Sequence, residues 1–207
     1  MSISFPRALP TAAGIRGITI RARNVTALSE SKFSLKQQVY THSGQRWEAE
    51  IELPPMARAD AETWVAFLLS MRGREGTFLL GDPVNTTARG ALGGSPLVNG
   101  AGQTGDTLTI DGASASVAGW LKAGDWIQTG SGAGSALHKV LLDATTNGAG
   151  QVTLDVWPSI RTSPANDSVV VTAAAKGVFR LNTSDTEWRI DEMQHYGLVF
   201  AAVEAIV

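Results

Sequence analysis

The chain has 207 residues, with 17 Lys+Arg against 19 Asp+Glu and a net charge of −2. That length buries a core without disulfides, and the balanced charge argues against a protein whose main task is gripping nucleic acid or an anionic membrane. Cysteine is absent, which removes disulfides, thiol catalysis, Fe–S clusters and cysteine zinc sites together. Three histidines leave little for a His-rich metal centre, and 22 glycines favour a turn-rich β protein.

The start, Met1 to Arg7, has no basic segment followed by an apolar run, so no targeting peptide is expected. No window approaches the ~18 apolar residues of a membrane span. The Asn-x-Ser/Thr triplets at Asn24, Asn85, Asn166 and Asn182 read as chance without a secretion signal.

Arg46 to Leu53 alternates strictly. Trp47, Ala49, Ile51 and Leu53 share one face, and Arg46, Glu48, Glu50 and Glu52 share the other. This is the period of a half-buried strand. Gln37 to Tyr40 has β character, and His42-Ser43-Gly44-Gln45 supplies turn residues, so the two runs are expected to pair as a hairpin. Pro54-Pro55 ends the strand. Ala61, Trp64, Val65, Leu68 and Leu69 then form one apolar helical stripe. Asp60 and Glu62 favour its N-terminus, and Arg72-Gly73 its C-terminal cap. Thr77 to Leu80 reads as a short buried strand.

Between Thr86 and Ala175 the composition changes. This stretch holds 14 of the 22 glycines, 4 basic and 6 acidic residues, and no Phe or Tyr. The shift suggests a domain inserted into another whose chain resumes afterwards; one all-β domain with a long Gly-rich excursion is the other reading. Strands are expected at Thr107–Ile110, Asp125–Gln128, Leu137–Leu142, Gln151–Val156 and Ser168–Thr172. Five short strands with Gly-rich connections suggest a small antiparallel barrel. The last flank offers strands at Val178–Leu181, Glu187–Ile190 and Tyr196–Val203. The expected fold class is mainly β: a small β-sandwich ring domain (1–85 and 176–207) with one covering helix, plus an inserted five-stranded OB-like antiparallel barrel (86–175).

Several patterns imitate chemistry. Gly100-Ala101-Gly102-Gln103-Thr104-Gly105 matches G-x-G-x-x-G, but a strand follows it, whereas a dinucleotide site needs a helix there. His42, His138 and His195 come without a G-x-S-x-G elbow and read as structural. Glu48, Glu50 and Glu52 lie on one strand face, which suits a solvated or pore-facing surface better than two carboxyls across a cleft. Asp106, Asp111, Asp125 and Asp155 follow no calcium-loop spacing. Trp120, Trp126 and Trp157 read first as barrel core. Trp120 and Trp126 as a glycan-stacking platform is the alternative, making the barrel a carbohydrate-binding module for a host receptor. No cofactor, metal or catalytic residue is expected.

The order of elements resembles the distal tail protein family of siphophages, long-tailed bacteriophages, in its short form with an OB-like domain inserted in the ring-forming domain. The resemblance rests on Gln38-Val39-Tyr40 through Arg46-Trp47-Glu48-Ala49, Leu53-Pro54-Pro55-Met56, the helix with Trp64-Val65-Ala66-Phe67-Leu68, Gly76 to Pro83, and Trp157 to Arg161. It implies a non-enzymatic structural protein of the virion tail tip, assembled in the bacterial host cytoplasm. The implied form is a homo-oligomer, a hexameric ring with the tail tube protein on one side and the hub protein on the other. DNA would pass through the lumen without specific binding, and no membrane insertion is implied. Gln38, Tyr40, Arg46, Glu48, Glu50 and Glu52 are the candidate interface or lumen residues, and an acidic lumen would repel passing DNA.

Overall fold

A computed structural model describes residues 3–84 and 86–206, so the triplet at Asn85 and the domain boundary drawn there lie outside the described residues. The elements in chain order are β1 (Arg7–Ala8), β2 (Gly17–Glu30), β3 (Gln37–Glu52), α1 (Arg58–Ser70), β4 (Phe78–Leu80), β5 (Gly94–Val98), β6 (Gly105–Ala113), β7 (Trp126–Thr129), β8 (Ala136–Val140), β9 (Val152–Ile160), β10 (Gly177–Leu181), β11 (Arg189–Ile190), β12 (Tyr196–Gly197) and β13 (Val199–Glu204). The protein is mainly β with one α-helix.

Strands from the two flanks form a six-stranded sheet in the order β1-β4-β10-β13-β3-β2. Its inner face is built by period 2. Ala49 and Ile51 of β3 stand opposite Ala202 and Phe200 of β13, and Phe179 of β10 stands opposite Phe78 of β4. Helix α1 covers this face. Trp64 and Phe67 meet edge to face at 6.0 Å, and Phe67 meets Phe78 the same way at 5.7 Å. Tilted and edge-on ring pairs of this kind add ~0.5–1.5 kcal/mol beyond their burial. The helix buries Ala61, Trp64, Val65, Phe67 and Leu68. Leu69, expected in the stripe, is exposed, and Phe67 takes its place. The stripe is rotated because α1 lies over the Phe78–Phe200 ring cluster, which Phe67 reaches. Arg72 and Gly73 both adopt positive φ, and the Gly76 N–H donates to the Met71 carbonyl at 2.8 Å, so the helix ends in a left-handed cap.

The middle segment forms a five-stranded antiparallel sheet, β5-β6-β9-β8-β7, curled into a half-barrel around a second apolar core. Its fifth strand corrects the sequence reading. The strand is β5, not Ser168–Thr172. That run instead spans the gap between the two sheet edges: Val169 bridges Leu97 of β5, and Val171 bridges Gln128 of β7. Val170 N–H donates to Pro96 at 3.0 Å, while Val171 and Gln128 exchange two bonds of 2.9 Å. Alternate residues serve opposite edges, so no ladder forms, yet both exposed edges are covered.

The flank hairpin also differs from expectation. Gln37 to Glu52 is one continuous strand whose partner is β2, and the reversal lies at residues 31–36. His42 to Gln45 is not a turn. The register shifts there, from Asn24↔Gln45 to Thr26↔Thr41, so β3 carries two extra residues opposite Val25. The Ser-Gly pair serves a bulge, where a Cβ on Gly44 would stand 2.7 Å from the Val25 side chain.

Candidate functional site

Strand β13 pairs with β3 only from Glu52 to Glu48. Beyond that point β3 and β2 continue alone, as a two-stranded arm leaving the body of the sheet. An isolated two-stranded ribbon is marginal in water, so how this one is held at its root matters.

At the root the next N–H of β3, that of Trp47, donates to the buried Glu204 carboxylate at 3.0 Å instead of to a backbone carbonyl. Arg161 forms an ion pair with Glu204 and donates from Nη1 to the Gln45 carbonyl at 2.8 Å. The Gln45 side-chain oxygen accepts from the Ser159 N–H at 2.7 Å and from its hydroxyl at 3.0 Å. On the other strand, Asn24 accepts from the Trp157 indole at 2.9 Å. Burial raises the Glu204 pKa, and the Trp47 N–H and Arg161 oppose that rise. These clamps on the arm root come from β9 with the residue that follows it, Arg161, and from the end of β13.

Three indoles pack behind this clamp. Trp47 meets Trp126 at 4.8 Å and Trp157 edge to face at 4.3 Å, and its own N–H donates to the Leu137 carbonyl at 2.9 Å. Lys139 lies 3.9 Å over the Trp126 ring, and Trp126 donates to Asp82 at 3.2 Å. Only Trp120 belongs to the half-barrel core; Trp126 joins the flank core and Trp157 packs against it. Alternation is the reason. In β9, Leu154, Val156 and Ile160 face inward, so Trp157 faces out. In β7, Ile127 faces inward and Trp126 faces out. Trp120 is fully buried, with its indole bonded to the Gly93 carbonyl at 3.0 Å, and Trp126 is 5% exposed. Neither offers a free ring face for a sugar.

Beyond the root the arm is bare. Val25, Leu28, Phe33, Leu35, Val39 and Tyr40 are exposed, Phe33 completely. Contiguous exposed apolar side chains mark contact surfaces. Gln38 lies opposite Ser29 and Tyr40 opposite Ala27 within this arm. Arg46, Glu48, Glu50 and Glu52 lie together on the outer face near the body, so the six candidate residues form two groups.

The carboxylate face is not acidic. Arg16 pairs with Glu52 at 2.9 Å, Arg21 with Glu50 at 3.1 Å, and Arg23 and Arg46 with Glu48 at 3.2 and 2.7 Å. Four arginines meet three glutamates, and the Arg46 and Arg23 hydrogen bonds outweigh burial to lower the Glu48 pKa. The expected repulsive lumen surface loses its premise, because β2 contributes cations that reading one strand alone did not count.

The remaining titratable groups read as structural. Asp125 is fully buried; burial would raise its pKa, but N–H bonds from Arg89, Lys122 and Gly90 at 2.8–3.1 Å bring it below the usual range. His138 is buried, donates from Nδ1 to the Pro158 carbonyl at 2.7 Å, and is held by burial at a pKa of about 4. His42 is exposed within the β3 bulge, and His195 lies exposed beside Asp191. Among the described residues no three His, Cys, Asp or Glu side chains gather as metal ligands, and no helix is long and apolar enough to cross a membrane.

The clamp roles of Asn24, Gln45, Arg161 and Glu204, and the exposed Phe33 and Leu35 of the tip, were not read from the sequence. One signal was available: Ile18, Ile20 and Ala22 alternate with Thr19, Arg21 and Arg23, which marks β2. No protein-family model matches the chain, and no curated protein matches it.

Proposed function

We propose that this chain is a structural, non-catalytic component of a bacteriophage tail tip: a distal tail protein whose copies form a hexameric ring between the tail tube and the hub. Its place would be the virion tail tip, assembled in the bacterial host cytoplasm. The ring would leave a lumen for DNA passage without specific binding.

One observation carries the reading. The β2–β3 arm is clamped at its root and carries bare apolar side chains beyond it. A lone ribbon with two open edges and exposed Leu28, Phe33, Leu35 and Val39 gains stability when another surface covers it. Repeated head-to-tail contacts of that kind close into a ring where the rotation between copies closes, and extend into a filament where it does not. The Arg–Glu ladder near the body keeps the outer face of the ribbon charged and mixed in sign, which suits a surface in water beside a polyanion that must slide past.

The test is native mass by light scattering together with negative-stain images of the same sample. The expected result is rings with a central hole and a mass of about six chains. A strict monomer at every concentration up to the millimolar range overturns the reading.

A further inference from the structure

We propose that the arm tip of one copy docks in a specific groove at the opposite end of a second copy, between the tip of α1 and the ends of β10 and β13. This deepens the ring reading and rests on it. The groove is floored by Leu68, Leu181 and Phe200, rimmed by Asp185 and Glu187, and has a volume of about 270 Å³. That is below the ~300–1,000 Å³ of sites for drug-sized ligands, and suits one or two side chains. Val199, which also lines it, is exposed and adds to its apolar surface.

The arm tip is complementary to this groove in both respects. Its turn reads Ser31-Lys32-Phe33-Ser34-Leu35-Lys36, two apolar side chains between two lysines. Phe33 and Leu35 match the apolar floor, and Lys32 and Lys36 match the acidic rim. The turn is fixed by the Leu35 N–H bond to Ser31 and the Ser31 N–H bond to Lys36, each 2.9 Å. The turn backbone that carries exposed Phe33 is thus formed before any partner arrives, which lowers the ordering cost of docking. A buried aromatic anchor with charges around it is the usual anatomy of a contact hot spot.

The tip cannot reach its own groove. Glu50 of β3 pairs with Ala201, which lines the groove, whereas Gln37 pairs with Glu30 beside the tip. Along β2, whose Thr19 pairs with Glu50 and whose Glu30 pairs with Gln37, eleven residue steps at about 3.3 Å each place the two ends about 36 Å apart. A tip that fills this groove therefore comes from another copy. The contact is heterologous, because the two surfaces differ, and each copy offers one of each.

The absence of cysteine makes the test clean. Ser34→Cys and Thr186→Cys are introduced together and the protein is oxidised mildly. Disulfides between tip and groove yield a covalent ladder running past the dimer. Each single variant stops at dimers, and Ser34→Cys combined with Thr153→Cys on the exposed face of β9 gives no ladder. In the second arm, Lys32→Glu with Lys36→Glu, or Asp185→Lys with Glu187→Lys, each weakens assembly about tenfold, and the four changes together restore it. Intact rings without a ladder, or without charge rescue, overturn the docking and leave the ring reading standing. A monomer at every concentration with no ladder overturns both.

Discussion

The root and the tip of the arm belong to the same two strands, yet they differ in almost every physical respect. At the root, Trp47, Gln45 and Asn24 bond to Leu137, Ser159, Arg161, Trp157 and Glu204. At the tip, Phe33 and Leu35 touch solvent. The same ladder of backbone bonds runs through both, so secondary structure alone does not separate them. What separates them is the tail of β9, which reaches across from the half-barrel and buttresses the ribbon where it leaves the sheet. The middle segment therefore does more than decorate the flank fold: it sets the direction in which the arm projects.

The largest effect expected from breaking this contrast is at Trp47. Trp47→Ala removes a buried ring that touches two other indoles and leaves the Leu137 carbonyl without its donor. Truncating a buried Trp costs about 3–5 kcal/mol, so urea denaturation should place the variant about 4 kcal/mol below the parent. A loss under about 1 kcal/mol would mean that the indole cluster does not hold the two sheets together.

Acid is expected to act next, and at the root. The folded pKa of His138 is about 4, below the ~6.5 of an unfolded histidine. As pH falls through 6.5 the unfolded chain gains the proton first. Stability is then lost progressively down to about pH 4, by up to about 3 kcal/mol. His138 Nδ1 donates to the carbonyl of Pro158, one residue from Ser159, so amide exchange at the root should accelerate across this window. His138→Gln should flatten the pH dependence between 6.5 and 4, whatever its own cost. An unchanged slope in that variant would assign the acid sensitivity elsewhere.

The clamp itself comes third. Glu204→Ala leaves the Trp47 N–H and the Arg161 guanidinium without their carboxylate. Breaking a fully buried pair costs ~3–5 kcal/mol, but the Arg161 side chain is 29% exposed and water takes over part of the loss. About 2 kcal/mol is expected. A double-mutant cycle with Arg161→Ala should show coupling of ~0.5–3 kcal/mol; strict additivity would show that the two act separately.

Much of the root was legible in the sequence, while its partners were not. The alternation from Arg46 to Leu53 correctly placed Trp47, Ala49 and Ile51 inside. Period 2, applied strictly, also sends Trp157 away from Leu154, Val156 and Ile160, and so out of the half-barrel core; composition counted by segment hid this. The bulge at His42–Gln45 uses the same small and polar residues as a hairpin turn, so local chemistry could not tell one from the other. Glu204 and Arg161 lie 43 residues apart and meet only because β13 returns beside β3. Nothing local encodes that pairing. The acidic reading of Glu48, Glu50 and Glu52 failed mostly for the same reason: three of their arginines, Arg16, Arg21 and Arg23, come from the neighbouring β2 segment, and only Arg46 lies on their own strand.

The smallest expected effect on stability sharpens the comparison most. Phe33→Ser and Leu35→Ser remove side chains that lie wholly or largely in solvent, so unfolding stability should change by no more than about 0.5 kcal/mol. Against about 4 kcal/mol for Trp47→Ala, that is a large contrast between two aromatic positions on one hairpin. Assembly should reverse the order. A tip variant with native stability loses the anchor of the intermolecular contact, and its light-scattering mass should fall toward that of one chain. A Trp47→Ala protein that still folds keeps its tip, and should assemble in proportion to its folded fraction. If instead the tip variants lose stability as monomers, the tip packs against its own chain, and the division between a clamped root and a bare tip is wrong.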